Sequence, residues 1–315
     1  MSDIKRIATR ESFGNALAEL GKEYENLVVL DADLAAATKT ETFGKVFPER
    51  HINCGIAENN MTGVAAGLAA SGKIPFISSF AMFLAGRSYE QIRNSIGYPY
   101  LNVKMGGTHA GISVGEDGAT HQCIEDIAVM REIPGMVVVN PSDDIEAKAA
   151  VKALLEHVGP AYIRFGRFPV PVFNLNEDYE FKLGKGIKLR DGNDVSIFAT
   201  GLEVYEALEA AKLLEADGIC AEVINIHTIK PLDEDLILES AEKAGKVVTV
   251  EEHSIIGGLG TAVCELLSEK LPTPVLRIGI EDEFGKSGPA KELLHKYELD
   301  AEGIYCKVKK CFSLF

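Results

Sequence analysis

Five short apolar runs alternate with helical patterns in the first half of the chain, and this alternation constrains the fold more than any other feature. The runs cover residues 26–33, 73–80, 100–107, 135–140 and 160–165. Runs of this length and composition are typical of buried parallel strands. Helical patterns precede and separate these runs, at residues 11–23, 58–71, 123–133 and 142–157. We expect Ser142 to cap the last of these helices, because it follows the turn signal Asn140-Pro141.

The alternation breaks between residues 166 and 184, where two prolines and a polar stretch interrupt it, and it restarts with the apolar run 194–200. Further strands are predicted around residues 219–226, 246–251 and 274–279, and further helices near residues 203–217, 233–244 and 259–270. The sequence therefore predicts an α/β protein with two three-layer α/β/α domains and mainly parallel sheets. We place the domains at residues 1–170 and 190–315, with a linker at 171–189 and a smaller second domain.

Composition excludes several classes of function. With a formal net charge of −15 and a pI near 5.0, the chain lacks the basic surface that nucleic acids or anionic membranes require. The six cysteines form no CxxC pair and no zinc-like spacing with histidine, so we expect buried free thiols in a reducing cytoplasm. The first residues have no apolar signal core, and no unbroken apolar run of about 20 residues follows. We therefore expect a cytoplasmic protein.

One glycine-rich turn imitates a dinucleotide-binding site. Gly258 and Gly260 lie between a predicted strand and a predicted helix, with Glu281 and Asp282 some twenty residues later. The third glycine of that motif is missing, because Val263 occupies the place where close helix–strand packing requires glycine. We interpret this turn as structural and expect no nucleotide here.

Glu58 is the first candidate for chemistry. It follows a short predicted strand and begins a helix rich in alanine and glycine, which would hold its carboxylate on a rigid element. The alternative is a carboxylate with only a local electrostatic role at a helix start. Phe80 and Phe83 lie after the next strand, where they could equally be core aromatics.

The connection at residues 106–122, GGTHAGISVGEDGATHQ, contains two histidines, two acids and five glycines. Parallel sheets bind ligands at the carboxyl ends of their strands, so this loop can meet the Glu58 helix at one edge. Ordinary alternatives remain open here. His109 and His121 could be surface or core imidazoles, and Asp117 could be a turn residue.

Taken in order, the motifs GIAENNM, SSFAMF, THAGISVGEDGATHQ, NPSDD and EEHSIIGGLGTAV resemble the carboxyl-terminal half of transketolase. The resemblance covers the pyrimidine-binding domain and the carboxyl-terminal domain of that family, and so nearly the whole chain. It implies an enzyme that uses thiamine diphosphate and moves a two-carbon ketol unit between sugar phosphates of the pentose phosphate pathway. None of this follows from spacing alone.

The resemblance implies that Glu58 corresponds to the glutamate that hydrogen-bonds the aminopyrimidine ring nitrogen of the cofactor. In that family this contact lets the exocyclic nitrogen of the cofactor act as a base. Phe80 and Phe83 correspond to the phenylalanines that stack on this ring, and Asp33 is placed among the cofactor-binding residues. The chemistry needs a carboxyl group of raised proton affinity, and we expect burial beside the two phenylalanines to supply it.

The resemblance also implies substrate contacts. His121 corresponds to the histidine that contacts the hydroxyl or carbonyl group of the donor, and Asp117 to the aspartate that binds the acceptor hydroxyl. Arg10, His109 and Arg167 correspond to the residues that bind the substrate phosphate. Guanidinium groups suit phosphate and would explain anion binding by an acidic protein.

Three departures from the family pattern follow. Gly86 replaces a tyrosine beside the pyrimidine, Ala37 replaces a phosphate-binding serine, and the Gly-Asp-Gly motif of the diphosphate site is absent. We therefore expect an N-terminal transketolase subunit as partner, which would bind the diphosphate and Mg²⁺ (or Ca²⁺). Two copies of each chain, with self-association of this one, would form a heterotetramer.

Other interpretations stay open. The beta subunit of a 2-oxo acid dehydrogenase-type decarboxylase has the same two domains, and a deoxyxylulose phosphate synthase-like enzyme shares them in a longer chain. His109, His121 and Arg10 favour sugar-phosphate transfer over decarboxylation. A non-catalytic interaction subunit that retains the fold is the alternative from outside enzymes.

Overall fold

The computed structural model describes residues 4–175 and 179–312. In the first half the strands are β1 (Arg6–Ile7), β2 (Leu27–Asp31), β3 (His51–Asn53), β4 (Ile74–Phe80), β5 (Lys104–Thr108), β6 (Val137–Val139), β7 (Ala161–Arg164) and β8 (Val170–Pro171). The helices are α1 (Thr9–Leu20), α2 (Ala35–Thr38), α3 (Glu41–Val46), α4 (Glu58–Ala70), α5 (Tyr89–Gln91), α6 (Asp126–Glu132) and α7 (Asp144–Glu156). Two π-helical turns, Met82–Arg87 and Ile92–Gly97, flank α5.

The second half has the strands β9 (Ile187–Arg190), β10 (Val195–Ala199), β11 (Ala221–Asn225), β12 (Thr228–Lys230), β13 (Val247–Ser254) and β14 (Val275–Ile280). Its helices are α8 (Glu203–Ala216), α9 (Glu234–Ala244), α10 (Leu259–Lys270), α11 (Ala290–Lys296) and α12 (Ala301–Phe312). Among the residues described, no helix is both long enough and apolar enough to cross a membrane.

The first sheet has seven strands in the order β12-β6-β7-β5-β4-β2-β3, all parallel except β12. Helices cover both faces, since separate apolar clusters pack on each side of the sheet. The five predicted strands are present because their residues are buried on both faces, as parallel strands require. The predicted α/β fold class is confirmed.

The second sheet has five strands in the order β14-β13-β10-β11-β9, of which only β9 is antiparallel. β9 begins at Ile187, so the end of the segment predicted as linker, 171–189, forms an edge strand instead. Residues 176–178 of that segment lie outside the described residues. The domain boundaries themselves stay a prediction.

Two local predictions were wrong or incomplete. The N-cap of α7 is Asp143, whose carboxylate accepts from the backbone N–H of Glu146 at 3.0 Å. Ser142 instead donates through its own N–H and hydroxyl to the Glu146 carboxylate, at 2.6 and 2.7 Å, so its side chain is directed to that carboxylate rather than to the helix N–H groups. We did not predict β12, because a strand of only three residues before a proline is too short to show the alternation of apolar and polar residues that marks a strand.

A buried arginine of the first half of the chain binds both an aspartate of the same half and a carbonyl of the second half. Arg164, at the end of β7, donates from Nε to Asp126 at 2.9 Å and from Nη2 to the carbonyl of Glu252 in β13 at 2.8 Å. The side chains of Asp126 and Arg164 are almost fully buried. Removing either partner would leave a buried charge without compensation. The bond from Arg164 to the Glu252 carbonyl is the contact that links the second domain to this pair.

Carboxyl groups outnumber cations around this pair, and stability should therefore depend on pH. Burial raises the pKa of Glu251 and of Glu252 from 4.5 to about 7, and it raises the pKa of Glu203 well above its usual range. Neither carboxyl oxygen of Glu203 has a hydrogen-bond partner among the described residues. The folded chain keeps these protons when the unfolded chain has lost them. Stability is thus full below about pH 4.5 and falls as pH rises toward the folded pKa, by up to about 1.4 kcal/mol per pH unit for each group.

We expect Glu203→Gln to reduce this slope by roughly 1 kcal/mol per pH unit as pH rises above the ordinary glutamate pKa of 4.5, because glutamine does not ionise. Urea unfolding at several pH values measures it. Glu242→Gln, on an exposed position of α9, is the matched control. A Glu203→Gln slope equal to that of wild type would show that Glu203 does not titrate on unfolding.

Candidate active site

The carboxyl ends of β4 and β5 and the first residue of α4 meet at one edge of the first sheet. Phe80 ends β4, Thr108 ends β5, and Glu58 begins α4. Polar side chains that follow adjacent parallel strands collect at such an edge, which is the usual ligand-binding edge of an α/β sheet. The predicted residues Glu58, Phe80 and Phe83 are brought into one region together with both histidines.

Glu58 is buried, with 2% of its surface exposed. Ser79 Oγ lies 3.5 Å from one carboxylate oxygen, and the Arg87 guanidinium lies 2.7 Å from the other. The expected burial is present, but the expected apolar surroundings are not. The carboxylate is paired with a cation instead.

Arg87 was not predicted as a site residue. It ends the π-helical turn Met82–Arg87, a type of turn that often occurs at functional sites. Its guanidinium lies 4.8 Å from the ring centre of Phe83, and 48% of the side chain is exposed. The only sequence signal was an arginine beside Gly86, where a Cβ atom would lie 2.2 Å from the Met82 methyl carbon. A larger residue at position 86 would therefore displace Met82.

The two phenylalanines are not equivalent. Phe80 stacks on His109, with ring centres 3.8 Å apart, and is buried. Phe83 lies 5.7 Å from Phe80 and receives the edge of His121 at 5.3 Å. One face of Phe80 is thus occupied by His109, which leaves the half-buried Phe83 as the more accessible ring.

His109 is held as a neutral imidazole. Its Nε2 lies 3.0 Å from Arg10 Nη1, which can only donate, so its Nδ1 carries the proton and donates to Thr108. Burial, followed by the nearby guanidinium groups of Arg10 and Arg167, lowers the pKa of His109 to about 3. The resemblance implied a phosphate contact for His109, yet the imidazole is 3% exposed and both nitrogens already have partners. In this structure His109 contacts Arg10, and its phosphate contact stays a prediction.

Arg10 and Arg167 form a cationic pair at the rim. Arg10 Nη1 also donates to the carbonyl of Ala37 at 2.9 Å, and burial, followed by the charge of Arg167, lowers the pKa of Arg10. Arg167 donates to the carbonyl of Val114 at 2.7 Å and lies 3.5 Å from Asp117. Two cations held close to each other favour an anion between them.

The remaining predicted residues lie farther out. Asp117 is exposed and contacts Arg167. Asp33 is exposed and accepts from the side chain of Asn53 at 3.0 Å, so its carboxylate contacts β3 rather than the aromatic pair. These two positions sit at the rim of the region, where a second chain or a ligand can reach them.

The glycine turn at 258–260 binds its own carboxylate. Glu251 accepts from the backbone N–H groups of Leu259 and Gly260, at 2.7 and 2.8 Å. A Cβ atom at Gly258 would lie 2.0 Å from a carboxylate oxygen of Glu251, which explains the glycine. The helix end that a nucleotide phosphate would use is therefore already filled, in agreement with the sequence interpretation.

Comparisons with known proteins identify the family of this chain. The sequence profile of "Transketolase, pyrimidine binding domain" matches residues 5–171, and that of "Transketolase, C-terminal domain" matches residues 184–304. A Methanocaldococcus jannaschii protein with the provisional name of a transketolase C-terminal section is 54% identical, over 94% of this chain and 93% of that protein.

Two further relatives carry more specific names. The 6-deoxy-6-sulfo-D-fructose transketolase subunit SqwH of a Clostridium species is 47% identical, over 94% of this chain and 91% of its own. A subunit of the apulose-4-phosphate transketolase of Phocaeicola vulgatus is 43% identical, over 96% of each chain. Among solved structures, a split gene transketolase described as an inactive beta4 tetramer is 53% identical, with a TM-score of 0.91 over 98% of this chain and 99% of that one.

Proposed function

Because the chain belongs to the transketolase family and corresponds to the C-terminal section of a split transketolase, we propose that it is the C-terminal subunit of a thiamine diphosphate-dependent enzyme. This enzyme transfers a two-carbon ketol unit between sugar phosphates, as in the pentose phosphate pathway. In this proposal residues 1–170 bind the pyrimidine, residues 190–315 form the C-terminal domain, and 171–189 link them.

The observation that carries the proposal is the position of Arg87. Its planar guanidinium donates to Glu58 at 2.7 Å and lies over the ring of Phe83 at 4.8 Å. An aminopyrimidine ring would use the same two contacts, a hydrogen bond to a buried carboxylate and stacking on an aromatic face. The residues present therefore fit the cofactor, with the Arg87 guanidinium standing in for its ring.

Thiamine diphosphate, when bound, supplies a nucleophilic carbon that accepts the ketol unit. Glu58 would hold a proton against the pyrimidine nitrogen, and Phe80 and Phe83 would keep water away from that contact. Asp33 would contact the cofactor from the rim. We propose that the N-terminal partner subunit supplies the residues that hold the diphosphate and Mg²⁺ (or Ca²⁺), since the Gly-Asp-Gly motif is absent from this sequence.

The substrate would lie between the Phe83 edge and the cationic pair. His121 would donate to the hydroxyl or carbonyl oxygen of the donor, and Asp117 would accept from the acceptor hydroxyl. Arg10, His109 and Arg167 would bind the phosphate, and His109 would also orient Arg10. These polar groups would then fix the substrate at both ends.

The proposal also covers the subunit assembly of the enzyme and its location in the cell. Ile56 is 79% exposed just before α4, and Val64 is 37% exposed on that helix, which suits self-association within a two-plus-two heterotetramer. Cytoplasmic location is proposed from the cysteines, which are all unpaired in the described part of the chain.

A ketol-transfer assay of the co-purified two-subunit complex tests the function. Ketose phosphate donors and aldose phosphate acceptors should give transfer, with the sulfo- and apulose-type substrates in the same panel because two relatives bear those names. Oxidative decarboxylation of 2-oxo acids, or condensation of pyruvate with an aldose phosphate, would favour the other two enzyme classes. No reaction in any of these assays would favour a non-catalytic subunit.

Arg10→Ala and Arg167→Ala are expected mainly to raise KM for phosphorylated sugars, because both groups lie away from Glu58 and the reacting carbon. Loss of one charged phosphate contact should cost about 2–5 kcal/mol in kcat/KM. Steady-state kinetics with phosphorylated and unphosphorylated sugars measure it. Arg93→Ala, an exposed arginine bonded to Asn94, is the matched control. An equal loss with unphosphorylated sugars would mean that these arginines do not bind phosphate.

A further inference from the structure

Residues 111–122, called here the 111–122 loop, lie in the connection between β5 and α6 and carry Asp117 and His121. Besides Arg167 of the first domain, the second domain holds this loop. Ile112 is fully buried in the same apolar cluster as Ile280 and Leu293 of that domain. A side chain of the loop thus forms part of the core of the other domain. The loop is therefore anchored to the second domain as well as to the active-site edge.

Glu252 of β13 binds the start of the loop. One carboxylate oxygen accepts from the backbone N–H of Ser113 at 2.5 Å, and the side chain is 3% exposed. Gly111 has φ +78° and leaves room for this carboxylate, since a Cβ atom there would lie 2.3 Å from Glu252 Cδ. Arg164 fixes Glu252 in turn by binding its carbonyl. The start of the loop therefore has one defined position.

Gln122 binds the end of the loop. Its side-chain nitrogen donates to the carbonyls of Lys286 at 2.9 Å and Ile112 at 3.1 Å, and 3% of the residue is exposed. The backbone next to Lys286 lies close to the Gln122 amide, since a Cβ atom at Gly285 would be 1.9 Å from Gln122 Oε1. One amide therefore ties the two ends of the loop to each other and to the second domain.

We propose that Glu252 and Gln122 are positioning residues, through which the second domain holds the 111–122 loop so that His121 and Asp117 face the substrate. This inference rests on the proposed function for the roles of His121 and Asp117, whereas the anchoring of the loop stands on contacts alone. Neither side chain reaches the substrate region itself. Both act through the backbone of residues 112–115 and 122.

Amide hydrogen exchange on the full chain, with and without its partner, tests the anchoring. Gln122→Met keeps the volume and removes the donor, and Glu252→Ala removes the acceptor. Both should speed exchange of the loop amides about tenfold or more. Glu252→Gln retains an acceptor for Ser113 and should restore most protection. Glu251→Ala is the matched control, since this equally buried neighbour binds the start of α10 and not the 111–122 loop.

Kinetics of the complex give the second readout. Misplacing His121 and Asp117 should lower kcat about 10- to 100-fold. KM for the phosphorylated sugar should also rise, because Arg167 is bound to the Val114 carbonyl of the same loop. Loop exchange equal to that of wild type in Gln122→Met overturns the proposal, even if Glu252→Ala fails to fold. Faster loop exchange in a complex without ketol transfer would contradict the proposed function and leave the anchoring intact.

Discussion

Glu58→Gln is expected to lower the turnover number of the reconstituted complex by about 10²- to 10⁴-fold while the chain still folds. Glutamine has nearly the same shape as glutamate and can keep the contact with Ser79. It cannot take and return a proton, which is the role proposed for this carboxylate at the pyrimidine nitrogen. Binding of sugar phosphates should change little, because Arg10 and Arg167 lie elsewhere at the edge.

Single-turnover and steady-state kinetics on the purified complex measure this loss. Glu90→Gln is the matched control, because Glu90 is exposed on α5 and hydrogen-bonds only Gln91 and Asn94 in the described part of the chain. Urea unfolding of both variants separates a catalytic loss from a folding defect. Near-normal turnover in Glu58→Gln would remove Glu58 from the mechanism.

The isolated chain is expected to have no ketol-transfer activity and to bind thiamine diphosphate weakly, with both properties restored by the N-terminal partner. Phe83 and Glu58 offer one stacking surface and one strong hydrogen bond. Arg87 already occupies both, so the ring must displace a charged contact. The diphosphate would meet a chain of net charge −15 without the magnesium site that we assign to the partner.

Calorimetry of the purified chain with thiamine diphosphate and Mg²⁺, repeated with the partner present, measures this. We expect a dissociation constant weaker than about 100 μM alone and at least about 100-fold tighter binding in the complex, a difference of roughly 2.7 kcal/mol. Micromolar or tighter binding by the chain alone would refute a site divided between two subunits.

The periodic features of this protein could be predicted from its sequence. The apolar runs 73–80 and 160–165 form β4 and β7, which are buried on both faces of the sheet. A strand buried on both faces consists mostly of apolar residues, so it can be recognised from its composition. Glu58, Phe80, Phe83, His109 and His121 gather at one edge because each follows a parallel strand or begins the next helix. The ordered motifs then indicated the family.

Contacts between distant parts of the chain could not be predicted in this way. Arg87 and Glu58 are 29 residues apart, and Glu252 and Ser113 are 139 apart. Hydrophobic periodicity covers a single helix or strand, so it cannot show that either pair is in contact. Even the cap of α7 was misplaced by one residue, because Glu146 binds Ser142 and leaves Asp143 as the cap. Local sequence determines which residues are buried and in which element. Only the packing of elements far apart in sequence decides which buried polar groups meet. Here that packing pairs Glu58 with Arg87 and brings the second domain into contact with the loop that carries His121.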